Sequence, residues 1–264
     1  MNWSKGNAFK QPLDWGDLKG RPVTSQSNFA DSPIFTQAPR AEIHQLWRAF
    51  EPLPFALRKS VLRFGDVTCA TRGSYFVPDR EVAVVLSGCL VLHVGETDIC
   101  ADVATAGMLV SLQGGPKGRW MSDGFLYTVR LEDFTRETGE VGIRFLLSAS
   151  VERLRARERR LACAATHAVL PRVASLFGEL SSTCETSDVR VNQAEVGAML
   201  GLRRSSVNLA CQTMTRLRAI RTIRGRVSIV DRSLLASIAC CPSSARTTTE
   251  ETYAAPRVTL KHSH

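Results

Sequence analysis

Long apolar runs are missing from this sequence of 264 residues. Stretches such as Val82 to Leu86 fall far short of the about eighteen residues that a membrane helix needs, so no membrane span is expected. Met1 to Lys10 mixes polar, aromatic and basic residues with no apolar h-region, which argues against a secretory signal and places the chain in the cytoplasm as an expectation. Cysteine is present but unpatterned. Cys69, Cys89, Cys100, Cys163, Cys184, Cys211, Cys240 and Cys241 include no CxxC and no Cys/His spacing of a zinc site. Free thiols are therefore expected, with adjacent Cys240 and Cys241 read as small residues packed at a helix end. No metal and no cofactor is expected, and neither is an enzymatic activity.

Acidic residues are scarce in one place. Between Arg190 and Arg232 stand nine arginines against Glu195 and Asp231, so this segment's +7 is most of the formal charge of +9. Charge concentrated in this way suggests a polyanionic partner. With 44% hydrophobic residues the chain can bury one large core or two ordinary ones.

Residues 1 to 40, rich in Gly, Pro, Ser, Asn and Gln without a sustained period, read as a flexible arm, and residues 241 to 264 as a flexible tail. Ala41 to Phe50 can form a short helix with Ile43, Leu46, Trp47 and Phe50 on one face. From about Val61 to Leu131 the pattern becomes β. Strands are expected at Val61 to Phe64, Ser74 to Val77, Val82 to Leu86, Cys89 to Val94, Ile99 to Val103 and Phe125 to Leu131, with turns at Ser87-Gly88 and Gly95-Glu96. Strands so short and closely spaced indicate an antiparallel β-roll over residues 41 to 135. The fold class is thus α+β.

After Thr135 the period is helical. Leu147, Leu154 and Leu161 recur every seven residues, with Ile143 one turn earlier, and form a seam along a helix spanning residues 136 to 165. Such a seam is a candidate dimer interface, although Ser150 and Arg157 at companion positions are polar. His167 to Leu180 makes a further amphipathic helix with Pro171 in its first turn, opening a domain at residues 166 to 240.

Asn192 is positioned to cap a helix, with Glu195 three residues later completing a capping box. That helix stops at Gly201, whose freedom to adopt φ > 0 suits a tight turn. A second helix follows Leu202 and runs to about Arg218. Val196, Met199, Leu200, Leu202, Val207, Ala210, Cys211 and Met214 supply the apolar face locking the two helices together. Arg203, Arg204, Ser205, Ser206 and Asn208 point outward. Arg pairs bidentately with guanine and Asn with adenine, so Arg204, Ser205 and Asn208 are candidate base readers of double-stranded DNA. Ile220 to Ile223 and Val227 to Val230 flank Arg224-Gly225-Arg226 as a basic hairpin, the wing of a winged helix. Arg203, Ser206, Arg221, Arg224 and Arg226 are expected at the phosphate backbone.

The segment NQAEVGAMLGLRRSSVNLACQTMTRLRAIRTIRGRVSIVDRSLLASIA resembles the DNA-binding domain of the Crp/Fnr superfamily of bacterial transcription regulators. The order of β-roll, long helix and winged helix fits that family across about residues 41 to 240. The resemblance implies an effector-sensing β-roll, a homodimer through the long helix, a palindromic operator and RNA polymerase as a further partner. This sequence departs from the family pattern at several places. Arg203 stands where Ser or Thr usually caps the recognition helix, Ser205 where Glu is common, Leu209 where cyclic-AMP-type members carry another Arg, and Arg218 where the turn before the wing usually has Gly.

The family's cyclic-nucleotide cassette uses a Gly-Glu pair and, about ten residues on, Arg-Ser or Arg-Thr. Aligned from Gly107, Leu112 replaces the Glu and Ser122-Asp123 the Arg pair, so cyclic AMP is not the expected effector, and the effector is unknown. Arg119, in a Gly/Pro loop, is expected to be solvated rather than a substitute. His44, His93 and His167 stand singly on their elements, and Gly114 to Gly118 lacks the GK-Ser/Thr of a P-loop. Two other functions remain at this point: a winged helix that binds protein instead of DNA, and a cupin-like metal enzyme, for which His93 offers no HxH partner.

Overall fold

The computed structural model of the chain describes residues 40–111 and 117–241. The arm and tail expected at 1 to 40 and 241 to 264 lie outside these residues, apart from Arg40 and Cys241, as do Leu112 and Gly114. The first elements are α1 (Arg40–Ala49), α2 (Phe55–Val61), β1 (Asp66–Ala70), β2 (Tyr75–Phe76), β3 (Glu81–Ser87), β4 (Leu90–His93), β5 (Cys100–Ala104), β6 (Leu109–Ser111), β7 (Gly118–Trp120) and β8 (Gly124–Arg130). Then come α3 (Leu131–Thr166), α4 (Val169–Thr183), β9 (Asp188–Val189), α5 (Gln193–Leu200), α6 (Arg204–Arg216), β10 (Ile220–Ile223), β11 (Arg226–Ile229) and α7 (Arg232–Ile238).

The first eight strands form two antiparallel four-stranded sheets, ordered β1-β8-β3-β6 and β2-β7-β4-β5. Every residue of β4 and β5 is buried, as is the centre of β3, because both faces of these strands are covered. Phe76, Leu90, Leu92, Val110 and Trp120 fill the space within the roll. On one outer side, Leu46 of α1 and Phe50 just beyond it pack with Tyr127, Phe134 and Phe145. On the other, Val91, Cys100 and Val103 share a core with α4 and the C-terminal helices.

The strand expected at Val61 to Phe64 is instead the end of α2 and a turn. Pro54 sets the N-terminus of that helix, and Leu57 and Val61, four residues apart, turn the same way toward the core. The Tyr127 hydroxyl donates to the Val61 carbonyl oxygen at 2.9 Å and holds the helix end on the sheet. The strands β1, β6 and β7 escape the sequence pattern because they are short, or, in β1, mostly exposed. Gly118 lies within β7 rather than in the loop expected there.

The long helix begins at Leu131, earlier than the β to α boundary at 135, and breaks its regular path at Gly139. With φ 57° and ψ −142°, Gly139 occupies backbone space that is costly for any residue with a Cβ. Arg160 of α3 donates from Nη2 to both carboxylate oxygens of Glu179 on α4 at 2.6 Å, clamping the two helices across their connecting corner. No helix among the described residues is long and apolar enough to cross a membrane.

Candidate nucleic-acid interface

Asn192 caps α5 as its sequence indicates. Its Oδ1 accepts from the backbone N–H groups of Ala194 and Glu195 at 2.9 Å, while Glu195 Oε2 accepts from the Asn192 N–H at 2.9 Å. Gly201 ends the helix in the left-handed conformation, φ 63° and ψ 37°. Arg172 of α4 donates to the Leu200 carbonyl oxygen at 2.8 Å, satisfying one of the acceptors left free at that helix end. Val196, Met199, Val207, Ala210, Cys211 and Met214 are all buried, which fixes α6 against α5 and α4. The helix-turn-helix is therefore rigid where its outward residues start.

Arg203 is the N-cap of α6 and makes no side-chain capping bond, so its guanidinium is exposed and free of a local task. Arg204 and Ser205 follow on the first turn, both exposed. Ser206 and Asn208 are half-buried, and Asn208 Oδ1 accepts from Gln193 Nε2 at 3.2 Å. Asn208 is thus oriented by α5, leaving its amide nitrogen for a further partner. The exposed face of α6 continues through Leu209, Gln212 and Arg216. Sequence reasoning missed Gln212 and Arg216. They follow Ser205 at helical spacing, and extending the period by two turns finds them.

The chain leaves α6 through Arg218, which has φ 62°. That is the left-handed region, which favours glycine, and the arginine adopts it. Hairpin strands β10 and β11 pair from Ile220↔Ile229 to Ile223↔Arg226, so the turn consists of Arg224 and Gly225 alone. Arg226 sits one place inside the strand, 3.7 Å from Asp188, while Arg221 is exposed on β10. Of the wing arginines, Arg224 stands at the tip. A cleft of about 500 Å³ opens between the start of α5, Arg204 and the wing, lined by Asn192, Gln193, Arg204 and Arg224.

Arg119 is not a solvated loop residue. It lies on β7, and its Nη1 is 3.3 Å from Glu195 Oε1, joining the β-roll to the first helix of the helix-turn-helix. Asp123 accepts from the Arg72 N–H at 2.7 Å, and Ser122 Oγ from the Cys89 N–H at 2.9 Å, so both sit in turn-stabilising bonds. His93 is buried with Asp98 3.8 Å from its Nδ1, whereas His44 and His167 are exposed.

The seam residues Ile143, Leu147, Leu154 and Leu161 are all exposed on α3, Leu154 by 55% and Leu161 by 73%. Val151, 46% exposed, joins them four residues after Leu147 and three before Leu154. It supplies the apolar companion that Ser150 and Arg157 did not, because the second row of the seam lies one position further along. Ser150 turns inward and donates to the Leu146 carbonyl oxygen at 2.7 Å.

Every cysteine is a free thiol. Burial pushes Cys100 up to about 12 and Cys211 up to about 11, so both are packing residues. Cys163 and His167, four residues apart, converge with the adjacent pair Cys240 and Cys241, which lies 77 residues after Cys163. That grouping has no sequence spacing to reveal it.

Residues 171–238 match the family model of the Crp-like helix-turn-helix domain. The fold is similar to that of a transcriptional regulator of the Crp/Fnr family from Eubacterium rectale, with a TM-score of 0.61 at 15% identity over 73% of this chain and 98% of that one. It is similar as well to a Crp-family transcriptional regulator from Thermus thermophilus, with a TM-score of 0.56 at 15% identity over 67% of this chain and all 100% of that one. FixK2 from Bradyrhizobium japonicum aligns with a TM-score of 0.54 at 14% identity, over 67% of this chain and 98% of its own. No protein of curated function matches the chain in sequence. Residues 171–238 are a Crp-like helix-turn-helix domain, and the β-roll, long helix and winged helix that surround it are similar in fold to these Crp/Fnr-family structures.

Proposed function

We propose that the protein is a sequence-specific, DNA-binding transcription regulator that binds a palindromic operator as a homodimer. The observation that carries this reading is the exposed face of α6: Arg204, Ser205, Gln212 and Arg216 project from a helix whose opposite face is locked into a buried core, beside a hairpin tipped by Arg224. A rigid helix with that chemistry suits the major groove, and a basic wing suits the adjacent phosphates. Arg204, Ser205 and Asn208 read bases in this proposal; Arg203, Ser206, Arg221, Arg224 and Arg226 hold the backbone.

The dimer forms along α3. Ile143, Leu147, Val151, Leu154 and Leu161 would otherwise leave an apolar stripe in water on one helix. In domain terms, 41–135 is the sensor-like unit, 136–165 the dimer helix and 166–240 the DNA-binding unit, with RNA polymerase as a further partner. Cyclic AMP is disfavoured as the effector because Arg119, the nearest basic candidate, is committed to Glu195.

Selection of genomic fragments by the purified protein, followed by footprinting, tests the proposal. A palindromic footprint with two half-sites is expected. Binding that tracks only length and salt, with no preferred sequence, would overturn it.

A further inference from the structure

The sulfur atoms of Cys163, Cys240 and Cys241 and a ring nitrogen of His167 all lie within 4.8 Å of one another. Cys163 Sγ is 3.3 Å from Cys240 Sγ, too long for a disulfide bond of about 2.05 Å. Cys241 Sγ is 3.9 Å from His167 Nδ1. Four ligands on a tetrahedral zinc ion, with Zn–S of about 2.3 Å and Zn–N of about 2.0 Å, stand roughly 3.5 to 3.8 Å apart. The separations of 3.3 and 3.9 Å lie within about half an ångström of that geometry, and the widest in the cluster, up to 4.8 Å, closes on it by about 1 Å. They are too short for the corners of an iron–sulfur cube, whose ligands hold separate metal atoms.

The local structure explains the convergence. His167 is the C-cap of α3, four residues after Cys163, and its backbone N–H donates to the Cys163 carbonyl oxygen at 3.1 Å, which holds the two residues together at the helix end. The segment after α7 bends at Cys240 and Cys241, which brings two neighbouring thiols to the same point instead of opposite sides. Ser175 of α4 supports them: its Oγ accepts from the Cys240 N–H at 3.2 Å and lies 3.4 Å from Cys240 Sγ. His167 Nδ1 faces the cluster, and its 3.4 Å contact with Thr166 Oγ1 gives way when that nitrogen's lone pair binds the ion, while the Thr166 hydroxyl keeps its bond to the Ala162 carbonyl oxygen. The three cysteines are half-buried and His167 is exposed, so an ion can enter.

We infer that Cys163, His167, Cys240 and Cys241 form a mononuclear binding site for a thiophilic divalent cation, zinc by its chemistry. Three thiolates and one imidazole are a closed, soft donor set that leaves no open position for substrate, the pattern of a structural site. On binding, the three thiols release three protons and form three metal–sulfur bonds, and the imidazole donates through Nδ1. The ligands bracket the helix-turn-helix domain of residues 171–238 at both of its ends. The ion therefore ties the C-terminus of the long helix to the segment beyond α7 and fixes the corner at His167 and Ala168.

Cobalt titration of the full chain, reduced and stripped with a chelator, tests the site without DNA, so its result stands apart from the DNA-binding proposal. One Co²⁺ per chain is expected, with the visible absorption of tetrahedral cobalt and sulfur-to-cobalt charge transfer, both erased by Zn²⁺. Zinc is expected to protect Cys163, Cys240 and Cys241 from alkylation while exposed Cys69 stays reactive. Cys163→Ser and Cys240→Ser should each weaken uptake by more than the about 10- to 100-fold that loss of an outer-shell partner costs. His167→Ala, at an exposed position that the fold does not need, should shift the cobalt spectrum and weaken uptake in a chain that remains folded; Cys69→Ser should do neither. Absence of stoichiometric uptake, or uptake unchanged in both Cys163→Ser and His167→Ala, would overturn the site. So would a reduced protein that takes up no metal and instead oxidises to a Cys163–Cys240 disulfide.

Discussion

Arg119 and Glu195 meet at 3.3 Å, and the carboxylate that receives the arginine also completes the capping box of α5 through its other oxygen. One side chain thus stabilises a helix of the DNA-binding unit and holds it to the β-roll. Glu195→Ala should cost about 1 kcal/mol through the lost cap. Arg119→Ala leaves the cap in place, and its partly exposed ion pair is worth roughly 0 to 1 kcal/mol. Thermal unfolding of both variants and hydrogen exchange in α5 separate the two roles: only Glu195→Ala should raise exchange there. Equal loss of protection in both would show that the capping box depends on the interdomain ion pair.

Arg204 and Arg224 should differ in kind. Arg204→Ala is expected to cost about 1 to 3 kcal/mol per half-site and to relax preference at one base pair, with little change in salt dependence. Arg224→Ala should weaken all sequences alike and flatten the salt slope by about one unit for each phosphate it no longer neutralises. Arg226 is a poorer probe of the backbone than Arg224, since Asp188 sits 3.7 Å from it. Titrations at two salt concentrations against sites with single base changes decide the matter; a uniform loss for Arg204→Ala refutes its base-reading role.

The apolar stripe on α3 leads to a measurement of mass. Sedimentation of the wild type at micromolar concentration should give a dimer, and Leu154→Arg, which places a charge in the middle of the stripe, should give a folded monomer. A monomeric wild type contradicts the interface.

Arg218 offers a test of backbone strain. A residue other than Gly or Asn in the left-handed region costs on the order of 1 to 2 kcal/mol, and part of that is returned when Gly replaces it. Arg218→Gly should therefore raise stability by up to about 1 kcal/mol in chemical denaturation. A lower midpoint would mean that the arginine side chain makes interactions worth more than the strain.

Cyclic AMP should neither bind nor change DNA affinity, with calorimetry as the readout. Saturable micromolar binding abolished by Arg119→Ala would mean that Arg119 leaves Glu195 to hold a phosphate.

The helix-turn-helix was readable from the chain because its determinants are local. Asn192 and Glu195 cap across three residues, Gly201 supplies a backbone conformation, and Val207, Ala210, Cys211 and Met214 mark a face by their spacing. Local chemistry of this kind needs no distant partner. The same holds for the hairpin, apart from the single-residue shift that moved Arg226 from the turn into β11. Positions that depend on what lies across the fold were not readable. Val61 could have been strand or helix until its packing selected the helix, and β1 and β7 carry too little apolar pattern to announce a sheet partner. Arg119 looked solvated because the carboxylate that pairs with it lies 76 residues away. The Cys163, His167, Cys240 and Cys241 cluster is the sharpest case. Its two halves are separated by the whole helix-turn-helix domain, so no spacing rule applies, and packing of α7 against α4 is what brings four donor atoms within reach of one ion.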